Sequence, residues 1–127
     1  MRQVWIVDDD AEMNRAIGLM LKMLDCEVLS FQGVRPAVQT LLTGKSPDLL
    51  LLDINMPEVS GLDMLEFIRR RKEWKALPVI MLSSEAAETL IDKTIEMGAD
   101  SYLMKPVTIE ELEKTMANVI QKRVSIK

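Results

Sequence analysis

Four consecutive leucines at residues 49–52 limit how this chain can fold more than any other feature of its sequence. A strand that is apolar at every position needs cover on both faces, which is typical of the centre of a parallel sheet. Four other short apolar runs predict the remaining strands, at residues 4–7, 28–31, 79–82 and 102–104.

Between these runs, and after the last of them, apolar residues recur at helical spacing. The first such stretch consists of Met13, Ala16, Ile17, Met20, Leu21 and Leu24. Similar stretches lie at residues 34–42, 62–68, 87–95 and 109–120, and Thr108 with Glu111 predicts a capping box at the start of the last one. Five strands alternating with five helices predict an α/β domain with helices on both faces of a parallel sheet.

Composition narrows the classes of function. A net charge of -4 argues against a dedicated nucleic-acid surface, and the basic run at residues 69–72 is better interpreted as a helix end. The single cysteine, Cys26, indicates a reducing compartment. Because no leader or membrane span is apparent, we expect a cytoplasmic protein without membrane contact.

Histidine is absent from the sequence, and this absence removes several chemistries. Histidine-assisted nucleophiles and histidine zinc sites are excluded, as is a phosphohistidine within the chain. Chemistry must therefore depend on carboxylates, hydroxyls and lysine. With 127 residues we expect one domain over residues 1–122, followed by a short tail or linker start at 123–127.

Polar residues follow four of the predicted strands directly. Asp8 and Asp9 come after the first, Asp53 after the third, Ser83 after the fourth and Lys105 after the fifth. The carboxyl ends of parallel strands share one edge, where α/β sheets bind their ligands. We therefore expect these side chains to form one site.

The chemistry of this set points to phosphoryl transfer. Clustered carboxylates repel one another unless a cation neutralises them, and hard oxygen ligands suit Mg2+. A carboxylate such as Asp53 can attack phosphorus, while Lys105 and Ser83 can stabilise the phosphoryl oxygens. Taken singly, Asp10 is better interpreted as a turn former or helix cap, and Ser84 as an N-cap.

Several separated segments together resemble the receiver domain of two-component response regulators. The matching segments are residues 7–10, residues 52–57 with Gly61, residues 82–84 and residues 98–106. The resemblance covers nearly the whole chain. It implies a flavodoxin-like (βα)5 doubly wound fold of the chemotaxis-regulator type, with strand order 2-1-3-4-5.

The resemblance also implies roles for individual residues. Asp53 would be the phosphoacceptor, and Mg2+ would be bound by Asp9, Asp53 and the Asn55 backbone carbonyl, with Asp8 acting through metal-bound water. Mn2+ could replace Mg2+. Lys105 would pair with the phosphoryl oxygens and precede a cis peptide bond to Pro106.

Signalling roles are implied as well. Ser83 and Tyr102 would form the switch that changes the surface of helix 4, strand 5 and helix 5, through which a homodimer could form. Asn55 and Glu85 occupy positions that tune phosphoryl lifetime, and we hypothesise a short-lived phosphate. The donor would be a histidine kinase or a histidine phosphotransfer protein, so external substrates would not be turned over.

Two other functions are left open by the residues. A phosphatase of the haloacid dehalogenase type would use Asp8 and Asp10 with Mg2+, although Ala11 and Glu12 stand where its threonine is expected. A receiver-like binding module that is never phosphorylated would have no need of buried charges at these positions.

Overall fold

The computed structural model describes residues 2–85 and 87–125. Strands and helices alternate along the chain, as the sequence predicts. The strands are β1 (Arg2–Val7), β2 (Cys26–Phe31), β3 (Leu49–Asp53), β4 (Val79–Ser83) and β5 (Ser101–Met104). The helices are α1 (Ala11–Met23), α2 (Val34–Leu42), α3 (Gly61–Arg70), α4 (Glu88–Glu96) and α5 (Ile109–Ser125), and a 3-10 turn at Lys72–Trp74 follows α3.

The five strands form one parallel sheet in the order β2-β1-β3-β4-β5, which confirms the expected fold. The register aligns their carboxyl ends. Val7 pairs with both Phe31 and Leu52, and Ser83 pairs with Met104. Residues that follow these positions therefore meet at one edge of the sheet.

Burial on both faces of the sheet explains the leucine run at residues 49–52, all of which are fully buried in β3. Leu50 and Leu52 pack toward the core that contains α2 and α3, whereas Leu49 and Leu51 pack toward the core that contains α1 and α5. An apolar residue at each position thus serves one core or the other.

Helix ends agree with the sequence in some places and differ in others. Asp10 caps α1, since its carboxylate accepts hydrogen bonds from the backbone N–H groups of Glu12 and Met13. The N-cap predicted at Ser84 is wrong, because α4 begins at Glu88 and its N-cap position is Ala87. The α4 N-cap makes no side-chain hydrogen bond to the first turn.

The last helix is longer than its apolar spacing indicates. We expected it to end near residue 122, but α5 continues to Ser125 and so includes the first three residues of the expected tail. The final two residues of that tail lie outside the described residues. Among the described residues, no helix combines the length and the hydropathy that crossing a membrane requires.

A partly buried ion network lies at the opposite edge of the sheet, where β4 and β5 begin. The Asp100 carboxylate accepts hydrogen bonds from Arg69 Nη2 at 3.1 Å, Arg123 Nη2 at 2.9 Å and the Val79 backbone N–H at 2.8 Å. Arg69 also donates to the backbone carbonyls of Gly98 and Leu77, at 2.8 and 2.7 Å. The network therefore ties α3 and α5 to the two strands.

Asp100→Ala should lower the free energy of unfolding by about 3–5 kcal/mol, because it leaves the largely buried Arg69 guanidinium without its charge partner. Urea denaturation followed by tryptophan fluorescence measures this change. Asp92→Ala, which removes an exposed acid from α4, serves as the control. A loss for Asp100→Ala no larger than that of the control would contradict the structural role of the network.

Candidate functional site

Four strand ends bring the predicted site residues together. Asp8 and Asp9 directly follow β1, and Asp53 ends β3. Ser83 ends β4 and Lys105 directly follows β5. The register of the parallel strands, rather than closeness in sequence, thus creates the group.

Three carboxylates form a compact acidic cluster at this edge. Asp8, Asp9 and Asp53 each offer an oxygen, and these oxygens lie within 4.8 Å of one another. Asp8 and Asp53 are buried, whereas Asp9 is exposed. Several hard oxygen donors with one open side suit Mg2+, which keeps part of its water shell when it binds protein. The donor set therefore fits the ion that the resemblance implies.

Lys105 joins two of these acids directly. Its Nζ lies 2.8 Å from Asp8 Oδ2 and 3.0 Å from Asp53 Oδ1. Its backbone N–H donates to the Ser83 carbonyl at 2.9 Å, which continues the β4–β5 pairing beyond the last strand residue. The Lys105–Pro106 peptide bond is cis, as expected.

The surroundings raise the pKa of Asp53 above its ordinary value. Desolvation by burial is the main cause; the hydrogen bond from Lys105 opposes it, and the charge of Asp8 adds to it. Burial acts to lower the pKa of Lys105, but hydrogen bonds to Asp8 and Asp53 outweigh burial and leave that pKa raised. Asp53 therefore binds a proton more readily than an exposed aspartate, and Lys105 stays charged.

Glu85 connects the other predicted residues in the loop between β4 and α4. Its backbone N–H donates to Ser83 Oγ at 3.0 Å, and its carbonyl accepts from the Tyr102 hydroxyl at 2.8 Å. Its carboxylate accepts from Asn55 Nδ2 at 3.2 Å. The sequence predicts a place for each of these residues, but it does not predict that a single residue links them all.

The loop after β3 holds Asp53 through a close backbone approach. Gly61 N–H donates to the Ile54 carbonyl at 2.9 Å, at the first residue of α3. A Cβ at position 61 would lie 1.9 Å from the Asp53 carbonyl oxygen, so only glycine fits there. The start of α3 is thereby packed directly against the backbone of Asp53.

Asp10 stands apart from the acidic cluster. Its carboxylate caps α1, and its own backbone N–H donates to Asp8 Oδ1 at 2.9 Å. The haloacid dehalogenase alternative needs Asp10 to act beside Asp8 on a substrate. Because Asp10 serves the helix instead, the geometry disfavours that alternative.

Asn14 is a site residue that the sequence reasoning missed. It is 5 % exposed, and its side-chain amide donates to the Asp8 carbonyl at 2.9 Å. Its spacing to Ile17 and Leu21 is three and seven residues, which places it on the apolar face of α1. A polar residue on this apolar face was the sequence feature that could have identified Asn14.

The raised pKa of Asp53 predicts how stability depends on pH. The folded state binds the Asp53 proton more readily than the unfolded state does. The free energy of unfolding is therefore highest below the unfolded pKa of Asp53 and decreases as pH rises through its folded pKa. In metal-free buffer, Asp53→Asn should therefore unfold at higher urea than wild type at pH 7. The difference should shrink as pH falls through that pKa, since protonation relieves the wild type.

Asp92→Asn is the control for this measurement, since it removes an exposed acid and leaves the site intact. It should show no such pH-dependent gain. A stabilisation by Asp53→Asn that stays constant at every pH would contradict the assigned cause.

Comparison with known proteins identifies the family. The model of the response regulator receiver domain matches residues 4–117. Hybrid signal transduction histidine kinase D of Dictyostelium discoideum is 33 % identical over 117 residues, which are 92 % of this chain and 7 % of that protein. The phosphate regulon transcriptional regulatory protein PhoB of Pseudomonas aeruginosa is 30 % identical over 95 % of this chain and 52 % of its own length. The chain thus spans only part of these relatives.

Solved structures agree with the sequence relatives. The chemotaxis protein CheY4 of Vibrio cholerae superposes with a TM-score of 0.86 at 27 % identity, covering 94 % of this chain and 98 % of that one. The two proteins therefore share one fold. The chain belongs to the response regulator receiver domain family.

Proposed function

We propose that Asp53 accepts a phosphoryl group and that this modification is the signal the domain transmits. The observation that carries the proposal is the group of Asp8, Asp9, Asp53 and Lys105 at one sheet edge. A nucleophilic carboxylate, a charged lysine and further acids for a cation are the parts that phosphoryl transfer requires.

In the proposed step, an Asp53 carboxylate oxygen attacks the phosphorus of a phosphohistidine on a partner protein. The new bond joins this oxygen to phosphorus, the phosphorus–nitrogen bond breaks, and the partner's imidazole leaves with the bonding electrons. Lys105, already 3.0 Å from Asp53, would remain beside the transferred group and neutralise part of its charge.

Mg2+ is the proposed cofactor, and Mn2+ is its expected substitute. Asp8, Asp9, Asp53 and the Asn55 backbone carbonyl would hold the ion. When bound, it would supply positive charge to the phosphoryl oxygens. The spacing of the three carboxylates and their hard oxygen donors support this assignment.

The proposed switch consists of Ser83 and Tyr102. Both already contact Glu85, at its N–H and at its carbonyl, so movement of the Ser83 hydroxyl toward a phosphoryl group would disturb the Tyr102 contact. The altered surface would be that of α4, β5 and α5. Ile95 and Met104 expose apolar side chains there, which supports homodimer formation through this surface.

The partners follow from the proposed chemistry. A histidine kinase or a histidine phosphotransfer protein would supply the group, because this chain has no histidine. The net charge of -4 gives no support to direct nucleic-acid binding. The sequence predicts a receiver unit of residues 1–122 with a tail or linker start at 123–127. We propose that the unit includes all of α5, to Ser125, since Arg123 bonds to Asp100 in the network that holds this helix. The cytoplasm is the proposed compartment. Turnover of external substrates is not part of the proposal.

Incubation with Mg2+ and a small-molecule phosphodonor should add one phosphoryl group to the intact protein, as measured by mass spectrometry. Asp53→Ala should remove the gain, because the nucleophile is absent, and chelation of the metal should suppress it. Asp10→Ala, which removes only the α1 cap, should still be modified and is the matched control.

Other outcomes would distinguish the alternatives. No mass change in the folded wild type with Mg2+ would favour a binding module over the proposed function. Continuous release of phosphate from an external ester, lost in Asp10→Ala, would favour the phosphatase.

The proposal includes a short phosphoryl lifetime set by Asn55 and Glu85. These side chains hydrogen-bond to each other at 3.2 Å near the acceptor, where they can orient a hydrolytic water. Asn55→Ala and Glu85→Ala should each slow the loss of phosphate several-fold, as followed by mass spectrometry after removal of the donor. Glu88→Ala, at an exposed acid of α4, is the control. Unchanged rates of phosphate loss in both variants would contradict the hypothesis of a short phosphoryl lifetime.

A further inference from the structure

Asn14 makes contacts that its place in a helix does not require. Its side-chain Nδ2 donates to two backbone carbonyls, Asp8 O at 2.9 Å and Phe31 O at 3.4 Å. These carbonyls belong to the carboxyl ends of neighbouring strands, and the Asp8 N–H also donates to Phe31 O at 3.0 Å. One side chain of α1 therefore joins the ends of β1 and β2.

The same residue brackets Asp9. On one side, its side-chain amide holds the Asp8 carbonyl. On the other, its backbone N–H donates to the Asp10 carbonyl at 3.0 Å. The Asn14 side chain thus holds the Asp8–Asp9 peptide group, while the ordinary first hydrogen bond of α1 holds the Asp10 carbonyl. Asp9, the exposed acid of the cluster, lies between these two points of attachment.

Stability alone does not account for an asparagine here. Its Oδ1 is buried and has no hydrogen-bond partner among the described residues, which disfavours folding. Its neighbours along the face of α1, Ile17 and Leu21, are apolar and fully packed. An apolar side chain would avoid the unpartnered oxygen, but it would release the Asp8 carbonyl.

We propose that Asn14 is a positioning residue, which holds the Asp8–Asp10 backbone so that the acids at its end are arranged for a divalent cation. The inference rests on the proposed function, since it concerns the affinity of that cation site. Asn14 acts through the backbone, and its side chain is assigned no contact with the ion. Substitution of groups that orient metal ligands typically weakens metal binding about 10- to 100-fold.

The experiment is a calorimetric titration of the full chain with Mg2+. Asn14→Leu replaces the amide with a somewhat larger apolar side chain and removes both amide hydrogen bonds, and it should raise the Kd for Mg2+ about 10-fold. Asn14→Ala, a second variant that lacks the added bulk of leucine, should raise it similarly. Ile17→Val is the matched control, because it trims a buried side chain of the same helix that packs in the core.

A second readout separates positioning from general damage. The Mg2+ concentration for half-maximal phosphorylation of Asp53 should rise in Asn14→Leu, while the rate at saturating Mg2+ should return close to that of wild type. Urea denaturation of each variant measures how far its free energy of unfolding differs from that of wild type. A merely structural role would lower the rate at every Mg2+ concentration.

The outcomes distinguish this inference from the proposed function. If both Asn14 variants bound Mg2+ as tightly as Ile17→Val, the inference alone would be overturned. If the wild type bound no Mg2+, the proposed metal site and the inference would fail together. A raised Kd in both Asn14 variants, without a rise in the control, supports the assignment.

Discussion

The ammonium group of Lys105 stabilises the cluster of acids at the carboxyl edge of the sheet. Asp8 and Asp53 are buried at the ends of neighbouring strands, and two such carboxylates repel each other strongly in a medium of low dielectric constant. Lys105 lies within 3.0 Å of both, so its charge offsets that repulsion. The position of the lysine is set by β5 at the far side of β4, and the site therefore depends on the whole parallel sheet.

Much of this arrangement can be predicted from the sequence, because it depends on the spacing of apolar residues and on the order of the segments along the chain. The apolar run at residues 49–52 requires burial on two faces, and the polar residue after each strand must then lie at the common edge. The parallel sheet and the meeting of Lys105 with Asp53 rest on these rules, whereas the confirmed strand order was implied by the family resemblance. Helix boundaries were less predictable: the cap expected at Ser84 was wrong because the chain first forms the loop around Glu85.

The side-chain contacts of Arg69 and Asn14 could not be predicted from the sequence, for a different reason. Arg69 lies in a basic run that resembles a solvated helix end, yet its side chain donates hydrogen bonds to Gly98, Leu77 and Asp100. Asn14 similarly finds its partners at Asp8 and Phe31, which are fixed only when two strands are already paired. A local pattern cannot specify contacts that depend on several elements at once, although a polar residue on an apolar face indicates that such contacts exist.

The two edges of the sheet contrast in how completely their charges are satisfied. At the edge where β4 and β5 begin, Asp100 is bonded by two arginines and a backbone N–H, so little capacity for another ligand remains. At the opposite edge, two of the three carboxylates share one lysine, and the third, Asp9, is exposed. Buried ion groups that serve stability are expected to be fully paired, because unpaired charge is costly. The excess of acid at the Asp53 edge therefore supports the proposed Mg2+ site, where a cation would also lie close to the negative charge of a phosphoryl group.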